Sequence, residues 1–321
     1  MPGFTFLSFH GGQRRMAGLG FGHLLCVRPM KRWKFLLTIV FLVPLTLHAG
    51  SQDLARTSKG HLVTRVRIAG FGEQWFVVDT GASESALYAH ARLRMGLPAE
   101  PGSEIEMHGA GGSQKVRRYR LPSLSVAGMS ADRLLVSGLP KGIQHGRDVT
   151  GVLGRDVFGR YLVEFDLSAN RFGLYNPGEL PSSRRGWNAV PIRLMPRVGL
   201  VMLDVMLDGA RVTAVLDTGA RKTFVNWRAA HAAGVSAQPR RDAAKTAGGA
   251  TQHAVRYSLC TFDVIAIGST RFRPSELAIS DLPVFAPIGM DQAPAMIVGL
   301  DLLGDRRFVI DYPGRRLLIE R

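Results

Sequence analysis

Cysteine is nearly absent: Cys26 and Cys260 are the only two in 321 residues. A disulfide framework is therefore excluded, and the fold must rest on its apolar core. No Cys/His cluster has metal-ligand spacing, so no metal site is expected. Aromatic residues are modest at 8%, whereas Gly (37) and Pro (17) are frequent. That balance favours short strands and many turns over long helices. Long hydrophobic runs are also missing. The longest apolar stretch, residues 35–47, is interrupted by Thr38, Pro44 and Thr46. It falls short of the ~20 residues that a membrane-spanning helix needs. Acid is absent from residues 1–50, which carry Arg14, Arg15, Arg28, Lys31, Arg32 and Lys34. Without them the net charge drops from +16 to 16 − 6 = +10. The remaining basic residues are scattered and lack interleaved aromatics, so they read as a solvated surface and not as a nucleic-acid face.

The N-terminal region has the three-part order of an export signal. Lys31, Arg32 and Lys34 precede the apolar run, and His48, Ala49 and Gly50 end it. Cleavage near Ala49 and translation from Met30 are expected, with residues 1–50 as extension and signal peptide. The mature protein is then exported, periplasmic or secreted, without a stable membrane span; an uncleaved signal would anchor it. Cys26 lies before the apolar run, on the wrong side for a lipid-anchored cysteine.

What is present is a duplication. Residues 74–82 run Gln-Trp-Phe-Val-Val-Asp-Thr-Gly-Ala, and residues 212–220 run Val-Thr-Ala-Val-Leu-Asp-Thr-Gly-Ala. Each is a strand candidate that enters an Asp-Thr-Gly-Ala turn. Downstream, the apolar run ending Gly154-Arg155-Asp156 matches the one ending Gly299-Leu300-Asp301. The Asp-to-Gly separations are similar, 154 − 79 = 75 and 299 − 217 = 82. Between the motifs each half has a glycine cluster, Gly109-Ala110-Gly111-Gly112 and Ala247-Gly248-Gly249-Ala250. No helical pattern follows either cluster, which argues against a phosphate cradle and for mobile hairpin tips. One helix-like piece follows each Asp-Thr-Gly, over 87–95 and 227–233; His90 and His231 belong to these. Both halves end in a strand pair. Residues 176–189, rich in Pro, Gly and Ser, read as the linker between a first lobe (51–175) and a second (190–321).

Two carboxylates a few ångströms apart can hydrolyse a peptide bond. They cannot both ionise, so one holds a proton while the other takes one from water. Asp79 and Asp217 are the candidates. Thr80 and Thr218 can hydrogen-bond across the seam, and Gly81 and Gly219 let backbone N–H groups approach the carboxylates. Ala82 and Ala220 complete the two loops. One copy alone would be inert.

With both motifs in place, the chain resembles the retropepsin family of aspartic proteases, in its bacterial, duplicated single-chain form. The resemblance covers about residues 62–175 and 190–319. Gly154 and Gly299 match the glycine of the family's second, structural motif, with Asp156 and Asp301 beside them. It implies an all-β, two-lobed, retropepsin/pepsin-like acid-protease barrel with pseudo-two-fold symmetry. It also implies an aspartic endopeptidase that needs no cofactor, holds an extended peptide under two flaps and works as a monomer. One departure stands out. Viral members place an acid after Asp-Thr-Gly-Ala, whereas here Ser83 and Arg221 follow, then Glu84 and Lys222. The two sides of the cleft should therefore differ in charge preference. A catalytically degenerate peptide-binding protein of the same fold is the alternative. A basic strand over 115–120 offers a weaker nucleic-acid reading.

Overall fold

The computed structural model describes residues 3–4, 50–140, 149–179, 186–236, 245–248 and 254–321, of which 3–4 and 245–248 are described as backbone only. The expected export signal over 31–49 lies outside these residues, as do Gly249 and Ala250. Among the described residues no helix is long and apolar enough to cross a membrane.

The chain folds almost entirely into strands, in two halves that repeat one pattern. In the first half, Leu62–Ile68 and Gly72–Val78 form an antiparallel pair. Gly72–Val78 ends buried on both faces, which explains its unbroken Trp-Phe-Val-Val run. Val149–Leu153 lies parallel to it, and Ala86–Tyr88 is antiparallel to Val149–Leu153. In the second half, Val201–Leu207 and Ala210–Leu216 pair in the same way. Ala295–Val298 lies parallel to Ala210–Leu216, with Phe224–Val225 antiparallel to it. Each half also holds one short helix, Ala89–Arg94 or Trp227–Ala232. The first is shorter than the expected 87–95, because residues 86–88 belong to a strand. The second is capped by Asn226, whose side chain accepts the Ala229 N–H at 2.8 Å.

The halves join in a shared sheet. Leu162–Asp166 and Arg307–Asp311 run antiparallel at its centre. Arg171–Tyr175 and Ser51–Arg56 flank them on one side, and Arg316–Ile319 and Asn188–Pro191 on the other. The linker read over 176–189 thus ends in a strand from Asn188 onward. Glu164 faces Val309 in this register. Their spacing, 309 − 164 = 145, equals that of the motif glycines, 299 − 154 = 145. Equivalent positions therefore meet at the pseudo-two-fold axis. Phe165 and Phe308 stack across the junction with ring centroids 4.9 Å apart, and buried apolar residues run continuously from one half into the other.

A charge is also buried at this junction. The Glu164 carboxylate accepts from Tyr175 Oη at 2.9 Å and from Arg307 Nε at 2.9 Å. Arg307 reaches Asp166 as well. Removing Glu164 leaves Arg307 with one acid and Tyr175 without this acceptor. Glu164→Ala should therefore cost about 2–3 kcal/mol, below the full price of orphaning a buried charge because Arg307 keeps Asp166. Urea unfolding of the purified variant measures it, and a loss under about 1 kcal/mol would show that the network adds little.

Candidate active site

Each Asp-Thr-Gly turn is placed by the strand that feeds it and by the strand beside it. Asp79 N–H donates to Leu153 O at 3.1 Å, and Asp217 N–H donates to Val298 O at 3.0 Å. Beyond the turns, Arg155 N–H donates to Ala82 O (2.8 Å) and Leu300 N–H to Ala220 O (2.9 Å). Gly154 and Gly299 permit this approach. A Cβ on Gly154 would stand 2.6 Å from Glu84 C, and one on Gly299 would stand 2.6 Å from Lys222 C. Any side chain there would push the Asp-Thr-Gly loop out of place.

The two turns meet at the seam between the halves through reciprocal bonds. Thr80 N–H donates to Thr218 Oγ1 (3.1 Å), and Thr218 N–H donates to Thr80 Oγ1 (3.0 Å). Each hydroxyl then donates onward to the opposite strand: Thr80 Oγ1 to Leu216 O (2.9 Å) and Thr218 Oγ1 to Val78 O (2.8 Å). The residues 79–82 and 217–220 are all buried. Asp79 Oδ1 accepts Gly81 N–H at 2.8 Å. Asp217 Oδ1 accepts Gly219 N–H at 2.8 Å and Ala220 N–H at 3.0 Å. Oδ2 of each aspartate is buried and has no hydrogen-bond partner among the described residues.

The glycines have a second role that the sequence did not reveal. A Cβ on Gly81 would lie 2.5 Å from Asp217 Cγ, and one on Gly219 would lie 2.3 Å from Asp79 Cγ. Each carboxylate thus rests against the other half's glycine, and glycine is required because the partner carboxylate fills the space.

The electrostatics follow from this packing. Burial raises the Asp79 carboxyl well above the usual range, and the charge of Asp217 raises it further. Burial likewise raises Asp217, against the pull of its two backbone N–H bonds. One proton shared by the pair is the low-energy state in such a site.

Asp156 and Asp301 do not reach the dyad. They sit behind it and hold hydroxyl residues that sequence reasoning missed. Ser85 donates to Asp156 Oδ1 from Oγ (2.7 Å) and from its backbone N–H (3.0 Å). Thr223 does the same to Asp301 Oδ1, at 2.7 and 2.8 Å. Ser85 Oγ then accepts Gly154 N–H, and Thr223 Oγ1 accepts Gly299 N–H. The turn, the hydroxyl, the acid and the motif glycine are thereby tied together in both halves. The spacing 223 − 85 equals 217 − 79, so aligning the halves would have exposed the Ser/Thr pair. Burial lifts the Asp156 carboxyl to about 6, and Asp301 moves in the same direction.

The first glycine cluster forms the tip of a hairpin, Ile105–Gly109 with Gly112–Val116. The basic strand read over 115–120 breaks at residue 117, where Arg118–Arg120 turns to pair with Leu135–Leu139. Ala110, at the tip, is 1% exposed. It belongs to an apolar cluster made otherwise of second-half residues, among them Leu282, Phe285 and Ile288. The first hairpin therefore crosses the seam. Its counterpart pairs Lys245–Gly248 with Ala254–Phe262; Ala247 and Gly248 lie in it as backbone. The basic strand 115–120 is partly neutralised: Arg118 pairs with Glu84 at 2.9 Å and Arg120 with Glu100 at 2.9 Å.

The family model described as aspartyl protease matches residues 64–157 and again residues 203–302, together more than half of the chain. The chain belongs to the retropepsin-like aspartyl protease family and carries the family unit twice. No curated protein matches it in sequence.

The dyad should burden the fold near neutral pH. Both carboxyls are raised in the folded state above the ordinary value of 3.8, so the folded chain holds a proton that the unfolded chain releases. Stability from this source is complete below 3.8 and is lost as pH rises through the folded values. Asp217→Asn should therefore raise Tm at pH 7, with the gain shrinking toward zero at pH 4. Thermal scans of both proteins at the two pH values check this, and an equal shift at both would point to a cause other than the raised carboxyls.

Proposed function

We propose that this protein is an aspartic endopeptidase, with Asp79 and Asp217 as its catalytic residues. The observation that carries the reading is the pair of buried carboxylates, each resting on the other half's glycine, with Oδ2 of both left without a protein partner. A water held between the two Oδ2 atoms loses a proton to one carboxylate and attacks the scissile carbonyl carbon. The other carboxyl gives its proton to the carbonyl oxygen, which yields a neutral tetrahedral intermediate. Collapse re-forms the carbonyl, breaks the C–N bond and sends a proton to the leaving amine. Burial and the neighbouring Asp217 both raise Asp79, whereas Asp217 is raised by burial and lowered by its contact with Asp79, which biases the single negative charge toward Asp217. Asp217 is then the base and Asp79 the acid in the first step.

Substrate would lie extended across the seam beneath the first hairpin and pair its main chain with strand edges. The buried tip at Ala110 must lift to admit it, and its return excludes water. Both loops come from one chain and share one central sheet, so the reading needs no second subunit. It places the mature protein outside the cytoplasm, with Thr80, Gly81, Ala82, Thr218, Gly219 and Ala220 as support for the dyad.

Asp79→Asn and Asp217→Asn should each lower cleavage of an unfolded protein substrate by at least about 10³-fold, while both variants still bind peptide. A wild-type protein that binds peptides without cutting them would instead identify a degenerate binding module. For export, N-terminal sequencing of the mature protein should find a chain starting near Ser51; one that retains residues 35–47 would show an anchored protein.

A further inference from the structure

The seam is not symmetric in charge. Arg221 follows directly on Ala220, whose N–H holds Asp217, so its side chain starts at the edge of the dyad. It is half-buried, and its stem runs against the first half: a Cβ on Gly60 would stand 3.4 Å from Arg221 Cδ. Gly60 belongs to a tight turn, in which its N–H donates to Thr57 O (2.8 Å) and Thr57 N–H donates to His61 O (2.9 Å). That turn carries Lys59, which is also only partly exposed. Two cations, one from each half, are thus drawn together where a turn of the first half meets the second Asp-Thr-Gly loop. Burial and the charge of Arg221 hold the Lys59 ammonium below its usual range, and burial does the same to Arg221. An ammonium and a guanidinium placed side by side at the edge of the dyad can both donate to one anion, and an anion there is attracted by both.

The two-fold-related place looks different. Position 83 (221 − 138) is Ser83; on the strand before the hairpin the offset is 139, since Val63 faces Val77 and Met202 faces Val215, so Lys59 corresponds to the uncharged Val198. Glu84, next to Ser83, is already held by Arg118 and by the Ser137 hydroxyl. The cationic pair therefore occurs on one side only.

We propose that Lys59 and Arg221 form an anion subsite spanning the two halves, and that it takes a carboxylate of the bound peptide. The carboxylate is an Asp or Glu side chain, or a free C-terminus. Arg221 stands four residues along the chain from Asp217. The turn folds Ala220 back onto the Asp217 carboxylate, so Arg221 leaves the chain close to the dyad and the carboxylate belongs within about four residues of the scissile bond. Charge-assisted hydrogen bonds from a guanidinium and an ammonium make this a specificity element and not a catalytic one. The inference rests on the peptide cleft proposed above.

The test uses reduced-amide decapeptides of neutral sequence, amidated at the C-terminus, in which Glu, Gln or Lys is walked through the four positions on each side of the blocked bond. A second set carries Gln throughout and ends in a free acid or an amide at each of those positions. Binding to the wild-type protein is measured by calorimetry at low salt. One position should favour Glu over Gln, or acid over amide, by about tenfold. Lys59→Ala and Arg221→Ser should each reduce that ratio to under about threefold, and the double Glu variant (K59E/R221E) should reverse it in favour of Lys. Equal binding of Glu and Gln peptides and of acid and amide peptides at every position would overturn the inference. So would a preference that survives in the double variant, or a failure of the whole set to bind. Cleavage of the ordinary peptide versions is scored separately: no cleavage with the Glu preference intact removes the protease reading and keeps the subsite.

Discussion

Two acids that cannot both be charged have to be buried in contact, and neither half of the chain can achieve this alone. The reciprocal Thr80 and Thr218 bonds meet that requirement. Each threonine accepts the other's backbone N–H and donates to the carbonyl that precedes the other's aspartate. A shift of either loop by an ångström would break four bonds at once, in a place where water cannot replace them. The position of the dyad is therefore set by backbone groups from both halves, and the remainder of the fold serves to bring those groups there.

That support is layered and repeated. Strand pairs deliver the two turns to the seam, and the parallel strands that lead into Gly154 and Gly299 hold them from behind. Ser85 with Asp156, and Thr223 with Asp301, bind each turn to its glycine. Farther out, the shared sheet fixes one half against the other through Phe165, Phe308 and the buried Glu164–Arg307 pair. Burial that makes this arrangement rigid also raises the dyad carboxyls, so stability and the chemistry of the pair oppose one another near neutral pH.

Duplication within one chain frees the two halves to diverge. The dyad, its threonines and its glycines remain matched, because each member touches its own counterpart across the axis. Outside that set the match ends. Glu84 is enclosed by Arg118 and Ser137, whereas Lys222 and Arg221 occupy the related loop. The first hairpin buries its tip among Leu282, Phe285 and Ile288, which are residues of the second half alone. The two walls of the seam therefore differ, although the dyad between them is matched.

The sequence alone determined the repeat, the all-β character and the residues of the two turns. These depend on local rules: apolar runs that enter Asp-Thr-Gly, glycines at fixed offsets, and Pro/Gly punctuation between strands. The Ser85/Thr223 pair was equally legible once the halves were aligned, since both hold the same offset from their aspartates. The tertiary structure alone decided the rest. That Gly81 must be glycine because of Asp217, that Asp156 faces Ser85 and not a nearby cation, that Ala110 lies under the other half, and that the turn at Gly60 lies against the Arg221 stem are all contacts between segments remote in sequence. Side-chain periodicity reports which face of a strand is buried, but not what covers it. The covering partner is chosen only when the two halves close on one another.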